Sequence, residues 1–295
     1  MHPRRLELLV ELSRLGSMGE VGQSLGISTS TVSQQLGVLA QETGATLVEP
    51  DGRRVRLTPA GRRLADHAVR ILAAIEAARA DLDPTAEPAG TVRVAAYETA
   101  VRIAVLPVVH RLAHTHPDVQ LQILEHEPDE ALELLADDDV DLALVYDYNL
   151  APRSFPSTVA VVPLADAAWS LGVMAGEDRL LGPAADVLGR FRDRDWIVNS
   201  RNNADEDVIC SIASMAGFHP RIRHRADSLD LVQQMILAGL GVGLLPAAQA
   251  TVAGVALVPL EEPDVLLRAY AATRLGRADW PALALVVRLL TQAAG

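Results

Sequence analysis

The sequence predicts a small winged helix-turn-helix, then one long helix, then a larger α/β segment folded as two hinged lobes. Three observations carry this expectation. A helix–glycine–helix pattern runs from Met18 to Leu39 and is followed by an Asp51-Gly52 turn among arginines. An apolar heptad then extends from Leu64 to Leu82. From Val92 onward, apolar strand-like runs alternate with amphipathic helical ones, the pattern of parallel βαβ units. A chain of 295 residues has room for two or three such domains.

Residues 3–15 read as a first helix, with Pro3 suited to its opening turn and Leu6, Leu9 and Val10 as its core stripe. A second apolar row, Leu8, Leu12 and Leu15, is either more core or part of a subunit contact. Gly16-Ser17 ends this helix and caps the next, which runs from Met18 to Leu25. Gly26 turns the chain, and Ser28 or Thr29 caps the helix in which Val32, Leu36 and Leu39 form one buried stripe. Its other face carries Ser30, Thr31 and Gln34, flanked by Ser33 and Gln35. Short hydroxyls and glutamines facing outward match what a DNA major groove accepts, because they reach base edges and phosphates. Arg53, Arg54 and Arg56 sit on the hairpin wing, placed to lie over phosphates.

Thr58-Pro59 reads as a cap followed by proline at the first helical position, opening a helix to Leu82. Leu64, Ala68, Ile71, Ile75, Ala78 and Leu82 are spaced 4, 3, 4, 3 and 4 apart, a seam that predicts pairing with a second copy. The alternative is a stripe packed on the chain's own second domain. A dimer would place two recognition helices on two half-sites of a near-palindromic double-stranded DNA. Residues 83–90, with two prolines and a glycine, read as a hinge.

Past the hinge the expected elements are strands at 92–96, 119–124, 141–145, 159–164, 169–173, 196–199, 221–226, 242–245, 255–260 and 265–272. Helices are expected at 100–114, 128–137, 183–192, 204–216, 229–239 and 280–291, with a further one starting at Pro246. The resulting division is 1–58 winged helix-turn-helix, 59–82 dimerisation helix, 83–90 hinge and 91–295 binding domain. Within the last, lobe I covers about 91–163 and 268–295, and lobe II about 164–267. A small ligand is expected in the cleft between the lobes, at the carboxyl ends of strands.

Net charge is −12, which taken as a total argues against nucleic acid. Its distribution removes the objection. Residues 1–82 hold ten arginines against nine acidic residues, so the acidic excess lies in the remainder. All 26 basic residues are arginine, a bias with no functional reading. Neither a long uncharged apolar run nor a basic-then-apolar leader is present, and the single Cys210 can form no internal disulfide. These features predict a cytoplasmic protein with no membrane partner.

Taken together, the motifs resemble those of the LysR-type transcriptional regulators. The resemblance rests on residues 26–36 (GISTSTVSQQL), 52–61 (GRRVRLTPAG), 116–121 (HPDVQL) and 238–246 (AGLGVGLLP), in this order and spacing. It covers essentially the whole chain and implies a DNA-binding regulator built as a homodimer or a homotetramer. The implied second part is a bilobed, periplasmic-binding-protein-like effector domain that answers a small metabolite, with RNA polymerase as a further partner. No metal and no cofactor beyond that unidentified effector is expected, and no enzymatic activity. The competing class is a solute-binding protein or enzyme whose N-terminal module serves for dimerisation. Two departures stand out: Val48 and Pro50 occupy places where the family commonly has phenylalanine and arginine, and Val21-Gly22 replaces an alanine pair.

The predicted DNA contacts are Ser28, Thr29, Ser30, Thr31, Ser33, Gln34, Gln35, Arg53, Arg54 and Arg56. For the effector, the segment Tyr97, Glu98, Thr99, Ala100 follows a strand and opens a helix, with Thr99 as its expected N-cap. By resemblance this position contributes to effector contacts; an ordinary cap with no ligand is the alternative. Glu98 would repel an anion there unless it pairs with Arg102. Asn199, Ser200, Asn202 and Asn203 hold the matching place in the second lobe, as ligand groups or as plain caps. Tyr146, Asp147 and Tyr148 end another strand on the same edge, where one tyrosine could serve for packing alone. His114, His116 and His126 lack metal-site spacing, and Cys210 is expected to be a buried structural residue.

Overall fold

The structure is a computed structural model that describes residues 1–51, 54–82, 87–178 and 182–293; for residues 54, 76–77 and 79–82 it describes the backbone alone. The N-terminal unit is three helices and a hairpin around one leucine-rich core. Helix α1 (Pro3–Leu15) buries Leu6, Leu8, Leu9 and Leu12, so both apolar rows of its sequence are core. Helix α2 (Met18–Ser24) is capped by Ser17, and α3 (Thr29–Thr43) by Ser28, whose Oγ accepts the Thr31 N–H at 3.1 Å. Val32, Leu36 and Leu39 of α3 are buried as their spacing predicts. Gly22 has a structural reason. A Cβ there would stand 2.7 Å from the Ile27 carbonyl oxygen, so glycine lets the turn before α3 fold back tightly on α2.

Strands β1 (Val48–Asp51) and β2 (Arg54–Leu57) pair antiparallel as the wing, with Val48 opposite Leu57 and Asp51 opposite Arg54. Thr58 joins the wing to helix α4 (Pro59–Leu82): its hydroxyl donates to the Thr46 carbonyl at 2.6 Å and accepts the Gly61 N–H at 3.0 Å. The predicted seam on α4 divides in two. Ala68 is fully buried and, with Leu64 and Ile71 beside it, packs into the chain's own N-terminal core. Ala68 is thus closed off by the chain's own core, whereas Leu64 and Ile71 are half-buried against it. Ile75 is half-buried, Ala78 is exposed, and the side chain of Leu82 lies outside the described residues.

The remaining chain forms nine strands in the order β4-β3-β5-β11-β6-β9-β7-β8, with β10 on β6. In lobe I, β3 (Gly90–Ala96) runs parallel to β4 (Val119–Glu125) and β5 (Leu142–Tyr148). Between β3 and β4 the chain winds through α5 (Glu98–Ala100), a π-helical turn (Val101–Val105) and α6 (Leu106–Thr115), and α7 (Pro128–Ala136) links β4 to β5. In lobe II, β7 (Asp195–Val198) runs parallel to β8 (Arg221–Arg225) and β9 (Val242–Pro246). Helices α8 (Ala184–Arg190), α9 (Ala204–Met215) and α10 (Leu229–Leu237) pack around them, and β10 (Val255–Pro259) closes the sheet. The return strand β11 (Leu266–Arg274) and helix α11 (Pro281–Ala293) belong to lobe I.

Three expectations change. The two strands expected at 159–164 and 169–173 are one 16-residue strand, β6 (Val159–Met174), because polar and small residues between the apolar runs still satisfy a continuous ladder to β11. The helix expected at 100–114 starts earlier, at Glu98, with Tyr97 rather than Thr99 at its N-cap. No helix follows Pro246; the residue ends β9, and a turn succeeds it. Among the described residues no helix is long and apolar enough to cross a membrane.

The joint between wing and α4 is tight enough to test. A Cβ on Gly61 would stand 2.1 Å from the Leu47 carbonyl oxygen, a backbone atom that cannot yield cheaply. Gly61→Ala is therefore expected to destabilise the N-terminal unit by about 1–3 kcal/mol, read as a lower melting temperature of that unit in calorimetry of the full chain.

Candidate DNA interface and effector cleft

On the first two turns of α3 the exposed side chains are Thr29, Ser30, Ser33 and Gln34. Ser28 and Thr31 spend their hydroxyls on each other at 2.8 Å, and Ser28 also bonds Ser30 at 2.8 Å, so these groups first secure the start of the helix. Gln35 turns the other way: its Oε1 accepts from Arg5 Nε at 2.9 Å, and Arg5 also holds Glu42 at 2.5 Å. The residue is thereby fixed to α1. On the wing, Arg56 pairs with Glu49 at 2.8 Å, and both are exposed. Such a surface pair contributes about 0.2–1 kcal/mol, little enough for a phosphate to displace the carboxylate. Arg54 lies on β2 with only its backbone described, and Arg53 falls outside the described residues.

A cleft of about 500 Å³ opens between the lobes. Its floor is β6 and β11 (Ala165, Ala167, Trp169, Leu267, Ala269). Lobe I contributes Tyr97, Glu98 and Thr99 after β3, Arg102 and Ile103 from the π turn, Glu127 after β4 and Tyr146 on β5. Lobe II contributes Asn199 after β7, Asp227 and Leu229 after β8, Pro246 at the end of β9, and Ala248 and Gln249 beyond it. The walls are thus the carboxyl ends of both sets of parallel strands, where α/β sheets take their ligands. A concavity of about 490 Å³ between α1, α4 and residues 136–139 is of different character. There Arg274 binds Asp66 at 2.8 Å and Asp138 at 3.1 Å, closing a charged seam between the N-terminal unit and lobe I.

Of the twelve residues expected at the effector site, Tyr97, Glu98, Thr99, Arg102, Tyr146 and Asn199 line this cleft. Ala100 is in the lobe I core. Asp147 points to the opposite face of β5 from its neighbours, as strand alternation requires, and is held by Arg268 at 2.8 Å through two bonds. Tyr148 is packing: it is fully buried and donates to Asp205 Oδ1 at 2.9 Å. Ser200 braces Asp227, Asn202 reaches across to Glu127 at 2.8 Å, and Asn203 is an exposed cap without a side-chain bond. Cys210 is exposed, not buried, because it faces outward from α9 while Val208, Ile209 and Ile212 face the core. Partial desolvation by its neighbours, then the nearby Glu206 and Asp207, push its thiol up, away from the reactive thiolate.

Four groups were missed from sequence: Glu127, Asp205, Asp227 and Arg201. Glu127 Oε2 accepts from Tyr146 at 3.1 Å and from Asn202 at 2.8 Å. Burial, and the charge of Asp227, push its carboxyl up to about 7 against the lowering effect of those bonds. Burial likewise raises Asp205 to about 7, although Tyr148 bonds it. Burial would raise Asp227 too, but hydrogen bonds from Ser200 and Arg201 outweigh it and hold that group below its ordinary value. Arg201 spans the lobes, 3.1 Å from Asp227 on one side and 3.4 Å from both Glu125 and Glu130 on the other. The rings of Tyr97, Tyr146, Tyr148 and Trp169 follow one another edge to face at 4.7, 6.2 and 5.6 Å. A usable signal did exist: 125–128 (EHEP) ends a strand and opens a helix, as 96–99 does.

Two family models match the chain. The "Bacterial regulatory helix-turn-helix protein, lysR family" covers residues 3–62, and the "LysR substrate binding domain" covers residues 85–295. The chain belongs to the LysR family of transcriptional regulators. A transcriptional dual regulator of Bacillus subtilis, GltC, is 24% identical over 270 residues, covering 90% of this chain and 88% of that protein. A probable hydrogen peroxide-inducible genes activator of Streptomyces viridosporus is 30% identical over 254 residues, covering 82% and 78%. Among solved structures, a full-length OxyR variant from Pseudomonas aeruginosa superposes with a TM-score of 0.74 at 20% identity, covering 100% of this chain and 94% of that one. Full-length CbnR in complex with its target DNA gives 0.54 at 21% identity with complete coverage of both. As a LysR-type regulator, the chain couples a helix-turn-helix that binds DNA to a domain that binds a small effector.

The raised carboxyls set a pH dependence. Glu127 and Asp205 hold protons near neutrality in the folded chain, whereas the unfolded chain releases them near 4.5 and 3.8. Between those values and about 7 the native state binds more protons, so stability falls as the pH rises. The melting temperature at about pH 5.5 is expected to exceed that at about pH 8, and the double variant Glu127→Gln/Asp205→Asn to lose part of that difference in calorimetry.

Proposed function

We propose that this regulator acts as a homodimer, or a tetramer built from dimers, that reads a near-palindromic duplex through two copies of α3. Thr29, Ser30, Ser33 and Gln34 are its exposed face toward the groove, while Ser28 and Thr31 prepare the helix terminus and Gln35 braces α1. Phosphate contacts come from the wing, with Arg56 exchanging Glu49 for the DNA backbone and Arg53 and Arg54, close to it in sequence, as further phosphate contacts. Pairing of the two chains is assigned to the distal part of α4, where Ile75 and Ala78 are not covered by the chain's own core. It acts in the cytoplasm as a regulator rather than a catalyst, and RNA polymerase is the partner through which it alters transcription.

The observation that carries the effector half of this reading is the position of the cleft. It lies where β6 and β11 cross between lobes, and β11 ends at Arg274, which grips Asp66 on α4. A ligand that changes the angle between the lobes pulls on the same strand that is tied to the DNA-binding unit. Binding thus shifts a population of arrangements rather than inventing a new one. The peroxide response named for the Streptomyces viridosporus relative is not carried over to this chain. Its single cysteine has a thiol pushed away from thiolate by neighbouring acids, and it can make no internal disulfide.

A gel-shift titration tests the DNA half. Gln34→Ala is expected to relax base preference, a good base contact being worth about 1–3 kcal/mol. Arg56→Ala should instead weaken binding to all sequences and reduce the salt slope by about one. If the full chain shows no salt-sensitive preference for any near-palindromic fragment, the solute-binding or enzymatic reading takes its place.

A further inference from the structure

We propose that the cleft is built for an organic cation, a small molecule with one ammonium group on an apolar, ring-sized body. The inference rests on the effector reading of the cleft and names the chemistry of its occupant. Three carboxylates line the walls, Glu98, Glu127 and Asp227, against one cation, Arg102, which stands 3.4 Å from Glu98. An entering carboxylate or phosphate would meet this field with no uncommitted cation among the described lining residues. A cation would meet it favourably, most of all at Glu127, the most buried of the three.

Glu127 is the group that decides the position of the charge. It is 5% exposed and lines the cleft. Its Oε2 is engaged by Tyr146 and Asn202, and its carboxylate also closes a capping box with the Glu130 N–H at the start of α7, so all three partners are uncharged. The nearest cation to Oε1, Arg201, is 3.9 Å away and more closely held by Asp227 at 3.1 Å. A buried carboxylate without a close counter-charge is costly in its ionised form. An ammonium ion supplies that charge and restores the ionised form that burial disfavours. The rest of the wall suits the remainder of the molecule. Tyr97, Tyr146 and Trp169 offer ring faces and edges to a cation and its apolar body. Ile103, Ala165, Ala167, Leu229, Leu267 and Ala269 offer apolar surface. The volume of about 500 Å³ is in the range that holds ligands of this size.

Protonation of Glu127 competes with such a ligand, so affinity should rise with pH. The groups facing Glu127 are Tyr97 and Glu98 beyond β3, Tyr146 on β5, Arg201 and Asn202 before α9, Asp205 on α9, Asp227 after β8, and Glu125, His126 and Glu130 on its own segment. Of these, Asp205 titrates in the same range as Glu127 and adds to the same trend.

The experiment uses the full chain with three matched probes at millimolar concentration: 2-phenylethylamine, 2-phenylethanol and 3-phenylpropanoate. The amine is expected to raise the melting temperature and to release heat in calorimetry, with the alcohol weaker and the carboxylate inert. Its affinity should increase about tenfold between about pH 6 and about pH 8. Glu127→Gln should abolish the preference for amine over alcohol, circular dichroism confirming that the variant folds. Ala167→Trp, which fills the cleft, should block all binding. If the carboxylate binds as well as the amine and Ala167→Trp blocks both, the cleft is the effector site and the charge assignment is overturned. If the amine binds but neither substitution weakens it, binding lies elsewhere and the cleft reading falls with it. No binding of the amine at any pH also overturns the proposal, while the gel-shift result for the DNA half stands independently.

Discussion

Strand β6 pairs with β11 over residues 159–168 and then with β9 and β10 over residues 169–174. One continuous ladder therefore belongs to both sheets. The backbone groups of a strand must find partners along its length, so neither lobe can drift away without breaking pairs in the other. The floor of the cleft is thereby shared by both lobes, and side-chain bonds such as Asn202 to Glu127 cross between its walls. Trp169, at the point where the partners change, donates its backbone N–H to the Val265 carbonyl at 2.8 Å, which fastens the outgoing strand to the returning one. The cleft and the link to α4 both depend on this pair of crossing strands.

The same architecture explains why the cleft's chemistry is acidic yet stable. Glu127 and Asp205 are carried into low-dielectric surroundings by elements whose own packing is secure, so the burial of a carboxyl is met by Tyr146, Asn202 and Tyr148 rather than by a cation. These bonds satisfy the groups without bringing a positive charge against them. Arg201 is fixed by Asp227 while leaning toward Glu125 and Glu130, which ties the rim of the cleft across the lobes without neutralising its interior.

Much of the fold was legible because it is local. Val32, Leu36 and Leu39 announce a buried helix face, and Gly26 and Gly44, both at positive φ, mark turns that β-carbons resist. The candidate site was half legible. Segments 97–102 and 199–203 follow strands and open helices, and they do flank the cleft. Glu127, Asp205 and Asp227 escaped because their meaning arises between segments up to a hundred residues apart. The α4 stripe misled in part, since a heptad records which side of a helix is apolar and not what covers it.

By itself, the sequence determined the order of modules, the exposed hydroxyls of α3, the arginine wing and membership of a recognisable family, since periodicity, capping and turn chemistry are properties of neighbouring residues. Only the tertiary structure decided that Ala68 faces its own core, that Asp147 turns away from the cleft while Tyr146 lines it, and that Cys210 is exposed. It also brought Glu127 against Tyr146, Asn202 and Asp227. Burial, and therefore the charge a site presents to its ligand, is set by what crosses over from elsewhere in the chain.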